Sequence, residues 1–525
     1  MFQPMPNPAL VEFEFNIAGP CIAGEHYMIP PERRLGDVLR LIRRRKFFSL
    51  YAGRQTGKTT SLKWLEEHFN KTETWRALWV DLQTAQGEPD PAKAFRTILE
   101  RLERTCARRF PDIRRLDIDE LLRDPKSALG KYLTHLASVD ARPWVLFFDE
   151  VDGLVGDAMV SFLTQLREGY VARSQVPFPA SVMLVGQREV RDYVTSREGL
   201  RAISWLGTTS PFNITAESMT LEPFAAGEVE ELLVQHTTAT GQKFAPEAIA
   251  RIYELGRGHP WLTNALADQI TRRDVPDRNV PITSAHVDAA KETIILERRT
   301  HIDSLVAKLR EDRVRRLIDP MLAGQQTSVD VLDDDFSYVV GLGLIRKHQG
   351  LFEIANPIYR EVIPRSLTYV RQGQIARWQA HVLPDGSLDM DSLMRDWQEF
   401  WREDGHLAAD GFGYRESGPH LMLMAFLQRI INGGGRIGRE YGLGRGALDL
   451  LVEWKDKRHA IEVKIRRDAE TQGKAVQQLG RYLDSLGLRE GWLVLFDLRK
   501  QQSWKKKLFV RKVKHEGKRI TVVGS

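Results

Sequence analysis

Phe47-Phe48-Ser49-Leu50-Tyr51-Ala52-Gly53-Arg54-Gln55-Thr56-Gly57-Lys58-Thr59-Thr60 is the stretch on which the fold turns. Phosphate capture by backbone needs a buried strand, a glycine-bearing turn whose N–H groups point inward, a lysine, and a hydroxyl at the start of a helix. Here the strand ends at Tyr51, Gly57 permits the tight turn, and Lys58 can reach the β- and γ-phosphates. Thr59 can ligate Mg²⁺, and Ser61 to His68 continues as helix. Ala52 stands where the strictest form of the pattern has its first glycine, a place where a small residue suffices. The candidate nucleotide contacts are therefore Ala52, Gly53, Arg54, Gln55, Thr56, Gly57, Lys58, Thr59 and Thr60.

Outward from this loop, apolar runs recur at Ala77-Leu78-Trp79-Val80, Trp144-Val145-Leu146-Phe147-Phe148 and Val182-Met183-Leu184-Val185, alternating with helical stretches from about Arg33 to Phe212. That alternation predicts a parallel sheet covered by helices, and the lack of polar alternation predicts strands buried on both faces. The run from Trp144 closes on Asp149-Glu150. Two acids on a strand tip beside a phosphate loop suit Mg²⁺ held by Asp149 with Thr59, and an attacking water oriented by Glu150. Both halves together give an ATP site with Mg²⁺ as cofactor. At the end of the next run, Gly186-Gln187-Arg188 offers Arg188 to the γ-phosphate, although a solvated loop accounts for these residues equally well.

Residues 223–300 turn helical, with helix-spaced apolar positions in Glu228–Leu233 and Ala248–Tyr253, and are read as a lid on the core 1–222. In the lid, Gly256-Arg257-Gly258-His259-Pro260-Trp261 supplies His259 and Pro260 as nucleotide contacts, or simply joins two helices. Residues 301–370 show helices, then Asp333–Ile345, a turn at Gln349-Gly350 and the strand Leu351–Ile354, which is a winged-helix pattern. A polar stretch, Arg371 to Asp389, and a helix around Leu393 to Trp401 make 371–405 a linker and helix before a last domain, 406–525.

The order of phosphate loop, Asp-Glu strand, Ser210-Pro211-Phe212-Asn213-Ile214 and Gly258-His259-Pro260 resembles the signal-transduction (STAND-type) branch of the AAA-like P-loop ATPases. The resemblance runs over about residues 15–370. It implies a Gly-x-Pro turn that touches the nucleotide from the lid, a following winged helix, and an ATP switch more than a processive motor.

A second constellation lies near the C-terminus. Leu448-Asp449-Leu450-Leu451-Val452-Glu453-Trp454 and His459-Ala460-Ile461-Glu462-Val463-Lys464-Ile465 flank Lys455–Arg458 and read as a hairpin turning at Asp456-Lys457. Pairing about that turn places Asp449 opposite Lys464 and Leu451 opposite Glu462. Alternation gives one wholly apolar face and gathers Asp449, Glu462 and Lys464 on the other. Two carboxylates and a lysine can hold Mg²⁺ for phosphodiester cleavage; a salt-bridged outer face of an amphipathic hairpin uses the same residues. The layout, with Gly444-Arg445-Gly446 upstream and Gln478 and Tyr482 on a following helix, resembles the PD-(D/E)XK nucleases fused to AAA-like ATPases. It implies Asp449 and Glu462 as metal ligands, with Lys464 and Gln478 completing a catalytic set. It also implies a further carboxylate near the first helix, for which Glu416 and Glu440 both stand. The expected fold class is thus α/β: a P-loop NTPase parallel sheet with helical lid and winged helix, plus a C-terminal α/β restriction-endonuclease-like domain.

Charge agrees with a polyanionic partner. The chain of 525 residues carries a formal charge of +6, yet residues 406–525 alone hold 24 Lys and Arg against 13 Asp and Glu. A basic module points to nucleic acid, DNA before RNA, although basic faces are also ordinary solvated surface. In the tail, Lys505-Lys506-Lys507 and Arg511-Lys512 around Trp504 and Phe509 suit phosphates, or an edge strand kept soluble by lysines. No run reaches the roughly 18 apolar residues that span a bilayer, and Met1 to Phe15 has no leader pattern, so no membrane is expected. With only Cys21 and Cys106, a reducing cytoplasm is the expected compartment, and homo-oligomer formation stays open. The expected function is an ATP switch controlling a Mg²⁺-dependent nuclease, in defence or in a mobile element. The alternatives are an ATP-regulated nucleic-acid- or partner-binding protein with a non-cleaving nuclease fold, and an ATP-driven DNA remodeller.

Overall fold

The computed structural model describes residues 13–187, 217–297, 300–309, 311–322, 334–348, 351–363, 381–405, 419–420, 422–424, 426–427, 435–443, 446–466, 468, 470–499 and 502–525. The chain forms two compact units, Met1–His301 with Val329–Asn356, and Ile302–Ser328 with Pro357–Ser525.

The first unit is built on five parallel strands, β1 Phe47–Tyr51, β2 Arg76–Asp81, β3 Trp144–Asp149, β4 Ser181–Gly186 and β5 Ser218–Thr220, in the order β2-β3-β4-β1-β5. All six residues of β3 and of β4 are buried. Successive side chains alternate between two cores, with Trp144, Leu146 and Phe148 in one and Val145 and Phe147 in the other. Helices therefore cover both faces, which is why these strands carry no polar alternation. The short β5, Ser-Met-Thr, has no apolar run to announce it. Four helices of the segment read as a lid follow, Ala226–Thr240, Pro246–Gly256, Pro260–Gln269 and Ser284–Leu296.

The segment expected as one winged helix is divided between the units. Its helix Asp334–Gly341 and the antiparallel hairpin of β6 Ile345–His348 and β7 Leu351–Ile354 belong to the first. The reason is a close contact: a Cβ on Gly53 would meet the Leu342 carbonyl oxygen at 2.8 Å. The expected turn residues Gln349 and Gly350 lie outside the described residues.

The second unit carries a six-stranded mixed sheet, β8 Gly435–Leu443, β9 Gly446–Trp454, β10 Lys457–Ile465, β11 Glu490–Phe496, β12 Phe509–His515 and β13 Lys518–Gly524, in the order β12-β13-β11-β10-β9-β8. The helix Thr471–Leu486 packs on one face through Ala475, Val476, Leu479, Leu483 and Leu486. The helix Met390–Phe400 buries Leu393, Met394 and Trp397, and the Trp397 indole donates to the Ser525 hydroxyl at 3.0 Å. Residues 381–389, expected in a linker, are docked instead. Val382 bridges Leu388, and the Trp454 indole donates to the Gly386 carbonyl at 3.0 Å, because Asp385-Gly386 turns the chain back on itself.

Candidate functional site

The first site sits at the carboxyl ends of β1 and β3, with the tip of β4 between them. After β1 the chain runs through Gln55 at φ 59° and Gly57 at φ 92°, a left-handed pair that closes the loop and starts the helix Lys58–Lys71. Thr56 donates its hydroxyl to the Gly53 carbonyl at 2.9 Å. Lys58 is buried, and its Nζ donates to the Ala52 and Gly53 carbonyls at 2.7 and 2.9 Å. Burial pulls its pKa down, against the opposing charges of Glu150 and Asp149. Across the strand tips, the Thr59 hydroxyl donates to Asp149 Oδ2 at 3.2 Å. Burial pushes the Asp149 carboxyl up, against Lys58.

Glu150 has φ 56°, a left-handed conformation that costs a non-glycine residue on the order of 1–3 kcal/mol and gathers at functional sites. Burial, then the neighbouring Asp152, raises its pKa, so its carboxylate is a stronger base than a free one.

The lid turn stands close by. Gly258, at φ 74°, lies so near Phe224 that a Cβ there would strike the Phe224 carbonyl oxygen. His259 caps the helix Pro260–Gln269, its Nδ1 accepting from the Leu262 N–H at 3.4 Å. So the helix–helix turn and the approach to the phosphate loop coexist in one segment. Burial drives the His259 pKa down to about 4, helped by Arg34 and Lys58, and the ring is neutral at pH 7.

Two residues here carried no signal in the sequence. Arg34 donates to the carbonyls of Thr56 and Glu222 and stacks over the Phe224 ring at 5.0 Å, tying loop to lid. His301 packs against His259 and Trp261, with ring centroids 4.7 and 4.9 Å apart. Arg34 read only as one more cation before a helix, and His301 lies far from every motif. Arg188 and Ser210–Ile214 lie outside the described residues.

The second site lies on β9 and β10. Their register pairs Trp454 with Lys457 and Leu450 with Ile461, around a turn at Lys455-Asp456 whose first residue has φ 50°. The expected turn, at Asp456-Lys457, is thus displaced by one position and each pairing by two residues. Because side chains alternate with period two, the faces are unchanged while Asp449 moves level with Glu462. Lys464 Nζ lies 2.6 Å from Glu462 Oε1 and 3.4 Å from Asp449 Oδ2, and Asp449 also accepts from the Val463 N–H at 2.8 Å.

Glu462 is fully buried, and its Oε2 has no hydrogen-bond partner; Oε1 has only the ion-pair contact with Lys464. Burial first, then the Asp449 charge, raises its pKa to about 7. For Lys464, burial lowers the pKa, but Asp449 and Glu462 together outweigh it and the net shift is upward. Gln478 donates to the Tyr482 hydroxyl at 2.9 Å on the covering helix. Glu416 lies outside the described residues, as does the Glu440 side chain on β8. Among the described residues no three His, Cys, Asp or Glu gather as a metal cage. Two carboxylates and an unmatched buried oxygen nonetheless fit Mg²⁺, which keeps most of its waters and takes one or two protein carboxylates.

A buried parallel sheet with a phosphate loop on one strand and Asp-Glu two strands away defines a P-loop ATPase core. Residues 42–194 match the family model described as AAA domain. No curated protein matches the chain. Among solved structures, the chain is similar to the Walker-type ATPase PABY2304 of Pyrococcus abyssi, at 14% identity and TM-score 0.47 over 66% of this chain and 99% of that one. It is also similar to the ORC2 protein of Aeropyrum pernix, at 14% identity and TM-score 0.35 over 65% and 93%. A third is the Thermotoga maritima RuvB Holliday junction branch migration motor, at 12% identity and TM-score 0.33 over 63% and 93%. Among the described residues no helix is long and apolar enough to cross a membrane.

Proposed function

We propose that this chain is an ATP-controlled, metal-dependent nuclease in which the nucleotide state of the AAA-type domain governs phosphodiester cleavage by the second unit. The observation that supports cleavage most is the buried Glu462 carboxylate, with one oxygen unmatched, set beside Asp449 and Lys464. Burying such a group costs free energy unless something compensates it, so its retention suits a functional site.

In the ATPase site, Lys58 and the loop N–H groups bind phosphate, Thr59 and Asp149 would hold Mg²⁺, and Glu150 orients water and accepts its proton. In the second site, Asp449 and Glu462 would hold the divalent ion, which when bound supplies a Lewis acid and a source of hydroxide. Lys464 offsets their charge and can hold a proton beside the attacked phosphate. DNA is the favoured substrate over RNA, given the basic balance of residues 406–525.

The deciding experiment is a cleavage assay over single- and double-stranded DNA and RNA, with and without ATP and Mg²⁺. Cleavage should require the divalent ion and disappear in Asp449→Ala and Lys464→Ala while ATP binding persists. Equal cutting by wild type and variants sinks the proposal; ATP-sensitive nucleic-acid binding without cleavage under any metal favours a non-cleaving switch.

A further inference from the structure

Carboxylates repel a polyanion, so a phosphodiester-cleaving site needs attraction from elsewhere. The second unit carries it three strands away. Register links Glu462 to Leu493, Leu493 to Val522 and Val522 to Arg511, one row running from β10 to the edge strand β12. At the usual strand spacing of about 4.8 Å, Arg511 stands about 14 Å from Glu462.

Both residues project from the face that the helix Thr471–Leu486 covers, and Leu493 and Val522 between them are buried beneath it. Phe509 and Val513, two positions either side of Arg511, pack against the core under the helix Thr471–Leu486. That core also contains Ala460, two positions before Glu462. The next row links Lys464, Leu495, Gly524 and Phe509, and the helical turn Trp504–Lys507 leads directly into Phe509. Lys505 and Lys506 therefore stand at the Lys464 end of the sheet, both exposed, with Lys507 Nζ 5.2 Å from the Trp504 ring centre.

Three other cations of this unit are engaged. Lys512, on the opposite face of β12, pairs with Asp391 at 2.7 Å; Arg499 pairs with Asp497 at 2.5 Å and Lys518 with Asp484 at 2.8 Å. Lys505, Lys506 and Arg511 form no ion pair with a carboxylate among the described residues. Lysines that merely protect an edge from pairing need not share a face with a distant carboxylate cluster.

We infer that Lys505, Lys506 and Arg511 form a backbone-phosphate contact that holds nucleic acid at the Lys464 end of the sheet and delivers it to Asp449, Glu462 and Lys464. The inference rests on the nuclease reading for its destination, but the contact itself is a binding property. It reads charge and not base edges, so it is indifferent to sequence.

The test uses the full chain in EDTA, so that cleavage does not enter, with fluorescent 30-nucleotide DNA and RNA, single- and double-stranded, over a salt series. Lys505→Gln/Lys506→Gln/Arg511→Gln should bind duplex about tenfold more weakly or worse, with a log–log salt slope shallower by about 0.9 for each phosphate that is no longer neutralised. Arg511→Lys, which keeps the charge, should stay near wild type, and Lys514→Gln, on the opposite face, should bind as wild type does. Unchanged affinity and slope in the triple variant, an equal weakening in Lys514→Gln, or a wild type that binds none of these nucleic acids overturns the inference. Binding that follows this pattern in a protein that never cleaves leaves the phosphate contact standing and refutes only the nuclease reading.

Discussion

Two carboxylates with opposite environments show how single residues set behaviour. Glu150 is half buried, left-handed and pushed upward in pKa, the condition of a base that takes a proton from water. Glu150→Gln should keep ATP affinity and lose turnover about 10²- to 10⁴-fold, read by phosphate release alongside a nucleotide-binding titration. Equal loss of binding would make Glu150 structural. Asp140 is the reverse case: the Arg142 guanidinium foremost, and Arg76, hold its carboxyl well below the ordinary range. A depressed pKa stabilises the fold above the unfolded value of 3.8 and loses that contribution as pH falls below it. Asp140→Asn should thus cost about 1 kcal/mol at pH 7, and the gap should narrow in denaturant titrations as pH falls from 4 toward 2.

At the scale of elements, the β9–β10 hairpin puts two demands on one sheet. Its apolar face buries Leu450, Val452, Trp454, Ile461 and Val463, while the other face carries a buried carboxylate. Glu462→Gln removes that charge and leaves Lys464 paired with Asp449, so stability in EDTA should be unchanged or higher by about 1 kcal/mol. Lys464→Met leaves two carboxylates facing each other and should cost about 2 kcal/mol. Thermal unfolding of both variants checks the opposite signs. A matching loss in Glu462→Gln would mean that this carboxylate serves the fold.

For the whole molecule the connection is through the chain, which passes between the units at 301/302, 328/329 and 356/357. The first crossing follows His301, which packs on the His259 ring of the lid turn beside the phosphate loop. Any movement of that turn on nucleotide exchange would reach the residue at this crossing. If the proposed ATP-controlled cleavage holds, His301→Ala should keep ATP binding while the ratio of cleavage rates with ATP and with ADP, about 5- to 150-fold for an ordinary coupling, collapses toward one. A ratio unchanged from wild type would place the coupling at another crossing.

Contiguous pattern determined much of this protein. The phosphate loop, the Asp149-Glu150 strand tip and the alternation of Leu450 to Trp454 are each written within a dozen residues, and their periods survive any long-range arrangement. That is why a two-residue change of register in the hairpin left its faces intact. Only the tertiary structure decided which strand lies between β1 and β3, that the 381–389 stretch docks, and that Arg34 and His301 join the nucleotide site. It also decided that Glu462 loses its water while Arg511 stands on the same row. Burial, neighbouring charge and sheet order arise from contacts between residues distant in sequence, and no local spacing encodes them.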